Sequence, residues 1–296
     1  MQTENSIGHS LRISIAMAVR FGGRQNDESR PTTILFEGLD RVDGSARFAF
    51  GEFNRKLICN LSDVLFTGST AALCSVSGPI EVRIAAEHPS HTTFEVLLRP
   101  LSNVPGTESK ALASTIRNLL APSIILTHNP RTLMQLVVQS LSPSGAGKFQ
   151  PSLVAAMINA STMALVSAGS IPMRGVVCAI SVGRLRSAGG LNPTLVLDPS
   201  DHEIPSLEGG GCFAFLFGMG LKGGAEAVWS DWQSSSPFDR KELLSASKLA
   251  RSGAEKVWKS MRETLGISGK ESQVALTNME GENDSGAESD DDAMKI

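Results

Sequence analysis

Residues 151–171 read PSLVAAMINASTMALVSAGSI. The run carries no charge, mixes small side chains with Leu, Met, Ile and Val, and meets Gly169 near its end. Small and straight-chain residues suit a helix and a glycine stops one, so the stretch predicts a buried helix over about 152–168. A helix N-terminus is a natural seat for phosphate, because its first N–H groups point outward unpaired. An enzyme using that seat needs arginine, lysine or a glycine cradle there, whereas this chain places Pro151, Ser152, Leu153 and Val154.

Outward from this helix the pattern turns to strands. Upstream, RVDGSARFAF (41–50) alternates after the Asp43-Gly44 turn signal. TAALCSVSGPIEVRIA (70–85) reads as two strands joined through Gly78-Pro79, and TTFEVLLRP (92–100) as another ended by proline. ESKALASTIRNLLAP (108–122) has apolar residues at 112, 116, 119 and 120, a helical spacing. SIILTH (123–128) and TLMQLVVQSL (132–141) are strand-like. Downstream come strands in PMRGVVCAISVGRL (172–185), NPTLVLD (192–198), GCFAFLFGMG (211–220) and GAEAVWSDW (224–232), then an amphipathic helix over 238–266. This order predicts an α+β fold with mixed sheets covered by helices. The expected organisation is a flexible arm at 1–30, one domain over 31–266 with an insertion at about 51–69, and a disordered acidic tail at 267–296.

The bulk numbers fit that organisation. The chain has 296 residues, 41% apolar, with a mean hydropathy of +0.01, which suits a soluble globular body rather than a membrane span or a secretory leader. Cys59, Cys74, Cys178 and Cys212 are far apart, without a CxxC or a histidine at ligand spacing. They read as buried reduced thiols of an intracellular protein rather than zinc ligands or disulfides. The net charge of −3 divides into about −6 on the tail, from eight acids and two bases, and +3 on the rest. The run after Ser289 reads as a solvated acidic stretch rather than a phosphorylation site.

Seven segments (DGSARF, GPIEVR, LLRP, IRNLLAP, NPRT, NASTMALVSAGSIPMRG and LVLDP) follow one another in the order and spacing of the RNase PH-like domain, over about residues 40–265. Each is weak alone; in register they make a strong resemblance, closest to ring subunits of the eukaryotic RNA exosome. The resemblance implies a β-α-β-α architecture of the ribosomal protein S5 domain 2-like kind. It also implies a six-member ring with other RNase PH-like chains, S1/KH-type cap subunits, a separate catalytic nuclease, and single-stranded RNA in the channel. Nucleus, nucleolus and cytoplasm follow from the same likeness, as do roles in rRNA processing and RNA surveillance.

In phosphorolytic members of that family the second-half helix opens with Gly-Thr-Arg or Gly-Ser-Arg, which hold the attacking phosphate. In register, those positions are Ser152, Leu153 and Val154. Orthophosphate must be desolvated against a diester of like charge, and valine offers it nothing. The family's pair of acids on the next strand falls at Asn192 and Asp198, so only Asp198 remains, and it reads as a cap of the turn at 199–201. The expectation is a degenerate site with no catalytic residue, no cofactor and no metal.

Elsewhere, His88 and His91 read as surface histidines. GGGCF (209–213) and GLKGGAE (220–226) read as hairpin turns, lacking the strand-loop-helix context of a phosphate loop. Lys148, Arg174, Arg184 and Arg186 are candidates for backbone contact with RNA, while Arg131 reads as an ion-pair partner. The apolar FAFLF and GVVCAISV leave open whether neighbours in an assembly or the domain itself covers them. The first reading is a catalytically inert ring subunit. The alternatives are a residually phosphorolytic or metal-dependent homodimeric 3′-to-5′ exoribonuclease, and a free RNA-binding module.

Overall fold

The computed structural model describes residues 20, 23–51, 70–102, 104–143, 150–185, 194–218 and 224–266. Most of the 1–30 arm, nearly all of the 51–69 insertion, the 267–296 tail, Cys59, Lys148, Arg186 and Asn192 lie outside them. The first sheet contains β1 (Thr32–Leu35), β2 (Gly44–Phe50), β3 (Thr70–Glu81), β4 (Thr93–Arg99) and β5 (Thr132–Ser140), in spatial order β1-β2-β3-β5-β4. Only β4 and β5 run parallel, and α1 (Thr107–Leu120) makes the crossover that a parallel pair requires. The second sheet is antiparallel: β6 (Val176–Leu185), β7 (Thr194–Leu197), β8 (Leu207–Phe217) and β9 (Ala225–Ser234), in order β7-β6-β8-β9. Two more helices, α2 (Pro151–Ala168) and α3 (Arg240–Thr264), complete the α+β fold.

Helix α2 lies between the sheets, against β2 and β3 of one and β6 of the other. Ser152 through Leu165 are all buried. Two-sided burial explains why the helix is apolar all round rather than along one stripe. It also corrects the expectation that no segment matches a membrane span: Pro151–Ala168 has the length and hydropathy, but these residues serve as a core helix. Close approach to β2 needs Gly44, where a Cβ would fall 2.6 Å from the Ala168 nitrogen and nearer still to the Ala164 oxygen. Asn159, fully buried, behaves as an extra strand partner for β6. Its Nδ2 donates to the Ala179 carbonyl at 2.8 Å, and the Ala179 N–H donates to its Oδ1 at 2.7 Å.

Along β6 the side chains alternate between the two helices. The Ser181 hydroxyl meets Ser152 of α2, whereas Cys178 approaches Met261 of α3 and Ile180 packs at Gly253 of α3. The apolar FAFLF and GVVCAISV therefore sit in the two central strands and are covered inside the domain, which answers the question the sequence left open.

Several local expectations change. The 70–85 segment is one strand, not two, with a register shift between Ser77 and Ile80 where Gly78 adopts φ 142. SIILTH forms no strand; it follows a short 3-10 turn and contributes one bridge, Ile124 to Met173. Gly209, Gly210 and Gly211 lie within β8 rather than in a turn. The packed body also begins before Pro31: residues 23–30 and Arg20 are bonded to the end of β7.

Candidate functional site

The first turn of α2 opens onto a cleft of about 570 Å³. Its walls come from α1, the first turn of α2, the glycine run of β8 and the adjacent part of β9. The glycines are there because β9 leaves no room for side chains: a Cβ on Gly209 would stand 2.6 Å from the Gln233 oxygen, and one on Gly211 would overlap the Asp231 carbonyl. Val154 lines the cleft, while Leu153 is buried beneath it. Ser152, only 3% exposed, exchanges a hydrogen bond with Ser181 Oγ at 2.8 Å and donates to the Pro199 carbonyl at 3.0 Å, so its hydroxyl is already engaged.

The described charges in this cleft are of the wrong sign for phosphate. Glu108, Glu208 and Asp231 line it, and among the described lining residues there is no lysine, arginine or histidine. The positive end of the helix dipole faces carboxylates the protein already supplies. Cys212 also lines the cleft, and burial, then the Asp231 charge, pushes its thiol well above the usual range, which disfavours the thiolate. Cys74 is likewise pushed up to about 12, by burial offset by its Ser161 hydrogen bond. These two and Cys178, the three described cysteines, are free and buried, as expected for structural thiols.

Asp198 does not cap the Pro199–Asp201 turn, as the sequence suggested. It is fully buried at φ 46, and Arg30 grips it with the backbone N–H and Nε on Oδ2 (3.0 and 2.8 Å) and Nη2 on Oδ1 (2.7 Å). Glu203 makes the turn instead, accepting from Ser200 N at 2.8 Å and Ser200 Oγ at 3.1 Å. Arg20 and Arg24 also hold Glu203, and Arg20 donates to the carbonyls of Leu197 and Asp198. Burial opposes ionisation of Glu203. The Arg20 hydrogen bond, the Ser200 N–H and the two arginine charges outweigh it and hold the carboxyl below its ordinary value. Arg30 shows the converse, raised by Asp198 against the cost of burial. This arginine–carboxylate network was missed in the sequence, because Arg20, Arg24 and Arg30 sit in a breaker-rich stretch with no periodicity.

Of the RNA candidates, Arg174 and Arg184 are described, and they do not form one surface. Arg184 is a correction: it is 7% exposed, bonded to Ser234 and to the Ser236 and Pro237 carbonyls, with Nε 3.2 Å from Glu242. It braces β6 against β9 and the start of α3 and presents no face to RNA. Arg174 is exposed, but it follows the C-terminal end of α2. Eighteen residues of helix put that end about 27 Å from the cleft. Arg131 pairs with Glu87 at 3.4 Å while remaining mostly exposed, and His88 stacks on His91 with ring centres 4.6 Å apart. No metal-binding group of three ligands occurs among the described residues.

A family model described as "3' exoribonuclease family, domain 1" (RNase PH) matches residues 28–170. The chain is 38% identical over 114 residues to the exosome complex component rrp46 of Schizosaccharomyces pombe, covering 38% of this chain and 48% of that protein. It is 30% identical over 189 residues to the exosome complex exonuclease RRP46 homolog of Oryza sativa subsp. japonica, covering 64% of this chain and 67% of that protein. The match thus spans about half the fission-yeast relative and two thirds of the rice one. The crystal structure of rice Rrp46 superposes with a TM-score of 0.64 at 24% identity, over 83% of this chain and 100% of that one, and shows the same fold. Fold, motif order and relatives agree, and the chain belongs to the RNase PH family of 3′ exoribonuclease-like proteins.

Proposed function

We propose that the chain is a non-catalytic ring subunit of an RNA exosome, positioning RNA for a separate nuclease. The observation that supports it most is the cleft at the start of α2: Glu108, Glu208 and Asp231, Val154 in the arginine position, and no cation among its described lining residues. Placing orthophosphate among those carboxylates adds repulsion to desolvation, with no partner to offset either. The metal-dependent alternative loses its anchor, because both oxygens of Asp198 are taken by Arg30 and its surface is closed to solvent. The reading carries the partners such a ring implies: other RNase PH-like chains, S1/KH-type cap subunits, a catalytic nuclease, and single-stranded RNA touched by Arg174, Lys148 and Arg186. It also implies work in rRNA processing and RNA surveillance, in nucleus, nucleolus and cytoplasm.

The test is degradation of a 5′-labelled single-stranded RNA by the purified chain, with and without phosphate, magnesium or manganese, beside Asp231→Asn. The expected result is full-length RNA in every lane. Shortening by the wild type that Asp231→Asn abolishes would place a working site in the cleft and end the inert reading. Mixing with an RNase PH-like ring partner is expected to give a hetero-oligomer by light scattering; two separate monomers would remove the ring.

A further inference from the structure

The first sheet has a free edge beside a second groove. β4 bonds β5 on one side, and among the described residues no other backbone group bonds to 94–99 on the other. Between β4 and α1 lies a cavity of about 630 Å³, whose lining includes Leu97, Arg99, Lys110, Ala113 and Arg117. Leu97 is 43% exposed, and Leu101 and Val104 just beyond β4 are 47% and 77% exposed. Arg99, Lys110 and Arg117 have no ion-pair partner among the described residues, and Glu95 is the one acid in the described lining. A charge on an edge strand blunts unwanted pairing, and Arg99 alone would do that. Lys110 and Arg117 stand on the opposite wall, on the helix, where they serve a ligand better than they guard a strand.

We propose that this groove docks an extended acidic segment of a partner protein. The segment adds a strand to β4, sets alternate apolar side chains against Leu97 and Ala113, and presents carboxylates to Arg99, Lys110 and Arg117. A free strand edge next to a helix supplies both parts of such recognition, backbone pairing for affinity and side-chain pockets for selection. An RNA strand would use the cations but neither the β4 backbone nor the apolar surface, and no aromatic side chain is among the described residues lining the groove. The inference stands apart from the ring reading, since it concerns a groove on the other wall of α1.

The probe is a capped, fluorescein-labelled decapeptide alternating leucine with glutamate, titrated into the full chain by fluorescence polarisation. Its lysine counterpart and oligo(U) serve as competitors of other chemistry. The acidic peptide is expected to bind at least about tenfold more tightly than the lysine peptide. It should lose at least about tenfold in the Lys110→Glu/Arg117→Glu double variant, and nothing in Lys259→Glu on α3. Hydrogen exchange is expected to slow at residues 94–99 on binding, and circular dichroism of the double variant to match wild type. Unchanged affinity in the double variant, protection elsewhere, or oligo(U) displacing the peptide would overturn the proposal. Tighter peptide binding after removal of 267–296 would also overturn it, by making the chain's own acidic residues the occupant.

Discussion

Replacing Asp198 by asparagine keeps its shape and leaves the Arg30 guanidinium buried without a counter-charge. Breaking one partner of a buried pair costs about 3–5 kcal/mol, so urea unfolding of Asp198→Asn is expected to show a loss of that size, and a loss under about 1 kcal/mol would mean water reaches Arg30. Glu203 adds a pH dependence. Its carboxyl is held below the ordinary value of 4.5, so its contribution is complete above that pH and disappears as pH falls through the lower folded value. The wild-type advantage over Glu203→Gln in the urea midpoint is therefore expected to be constant from neutral pH down to about 5 and to shrink below about 4.5; a constant difference down to pH 3 would refute the linkage. On the resemblance, the family's pair of acids falls at Asn192 and Asp198, which leaves Asp198 as the one carboxylate. The sequence could not show where the carboxylate turned, because the partner lies 168 residues away in a stretch that looks like loop.

At the scale of elements, helices were easier to read than strands. α1, α2 and α3 fall within a few residues of their expected limits, since periodicity, Gly169 and the amphipathic 238–266 stretch are local signals. β1 went unseen because four residues, TTIL, hold too little pattern. The glycines of β8 were misplaced because their reason lies in β9: close backbone contact fixes them, with no turn involved. Gly211→Ala accordingly tests an element contact. The added methyl meets the Asp231 carbonyl, and a destabilisation of about 1–3 kcal/mol or more is expected from overpacking. Gly224→Ala, with no atom near its Cβ position but φ 76, should cost only about 1 kcal/mol of backbone strain. Equal effects at the two sites would mean that β9 yields freely.

For the whole molecule, α2 packs against both sheets, and the buried residues of the two halves form one continuous hydrophobic cluster. Trp229, Trp232 and Trp258 all belong to the second sheet and α3, whereas far-ultraviolet circular dichroism reports both halves. Coincident urea transitions by fluorescence and dichroism are expected; two separated midpoints would show that the sheets unfold independently. The resemblance sets Ser152, Leu153 and Val154 at the family's phosphate positions, whereas the three surrounding carboxylates come from α1, β8 and β9 and meet only in the folded chain.

The clasp of Arg20, Arg24 and Arg30 on the end of β7 has a consequence for synthesis. The arginines leave the ribosome first, yet their carboxylates follow 168 to 183 residues later. At about 5–20 residues per second that wait is roughly 8–35 s. During it the three cations lack the Asp198 and Glu203 carboxylates that hold them in the fold, and the first sheet stands beside a core helix whose second face is bare. The nascent chain thus finishes its fold late, once β8 and β9 of the second sheet have followed Glu203.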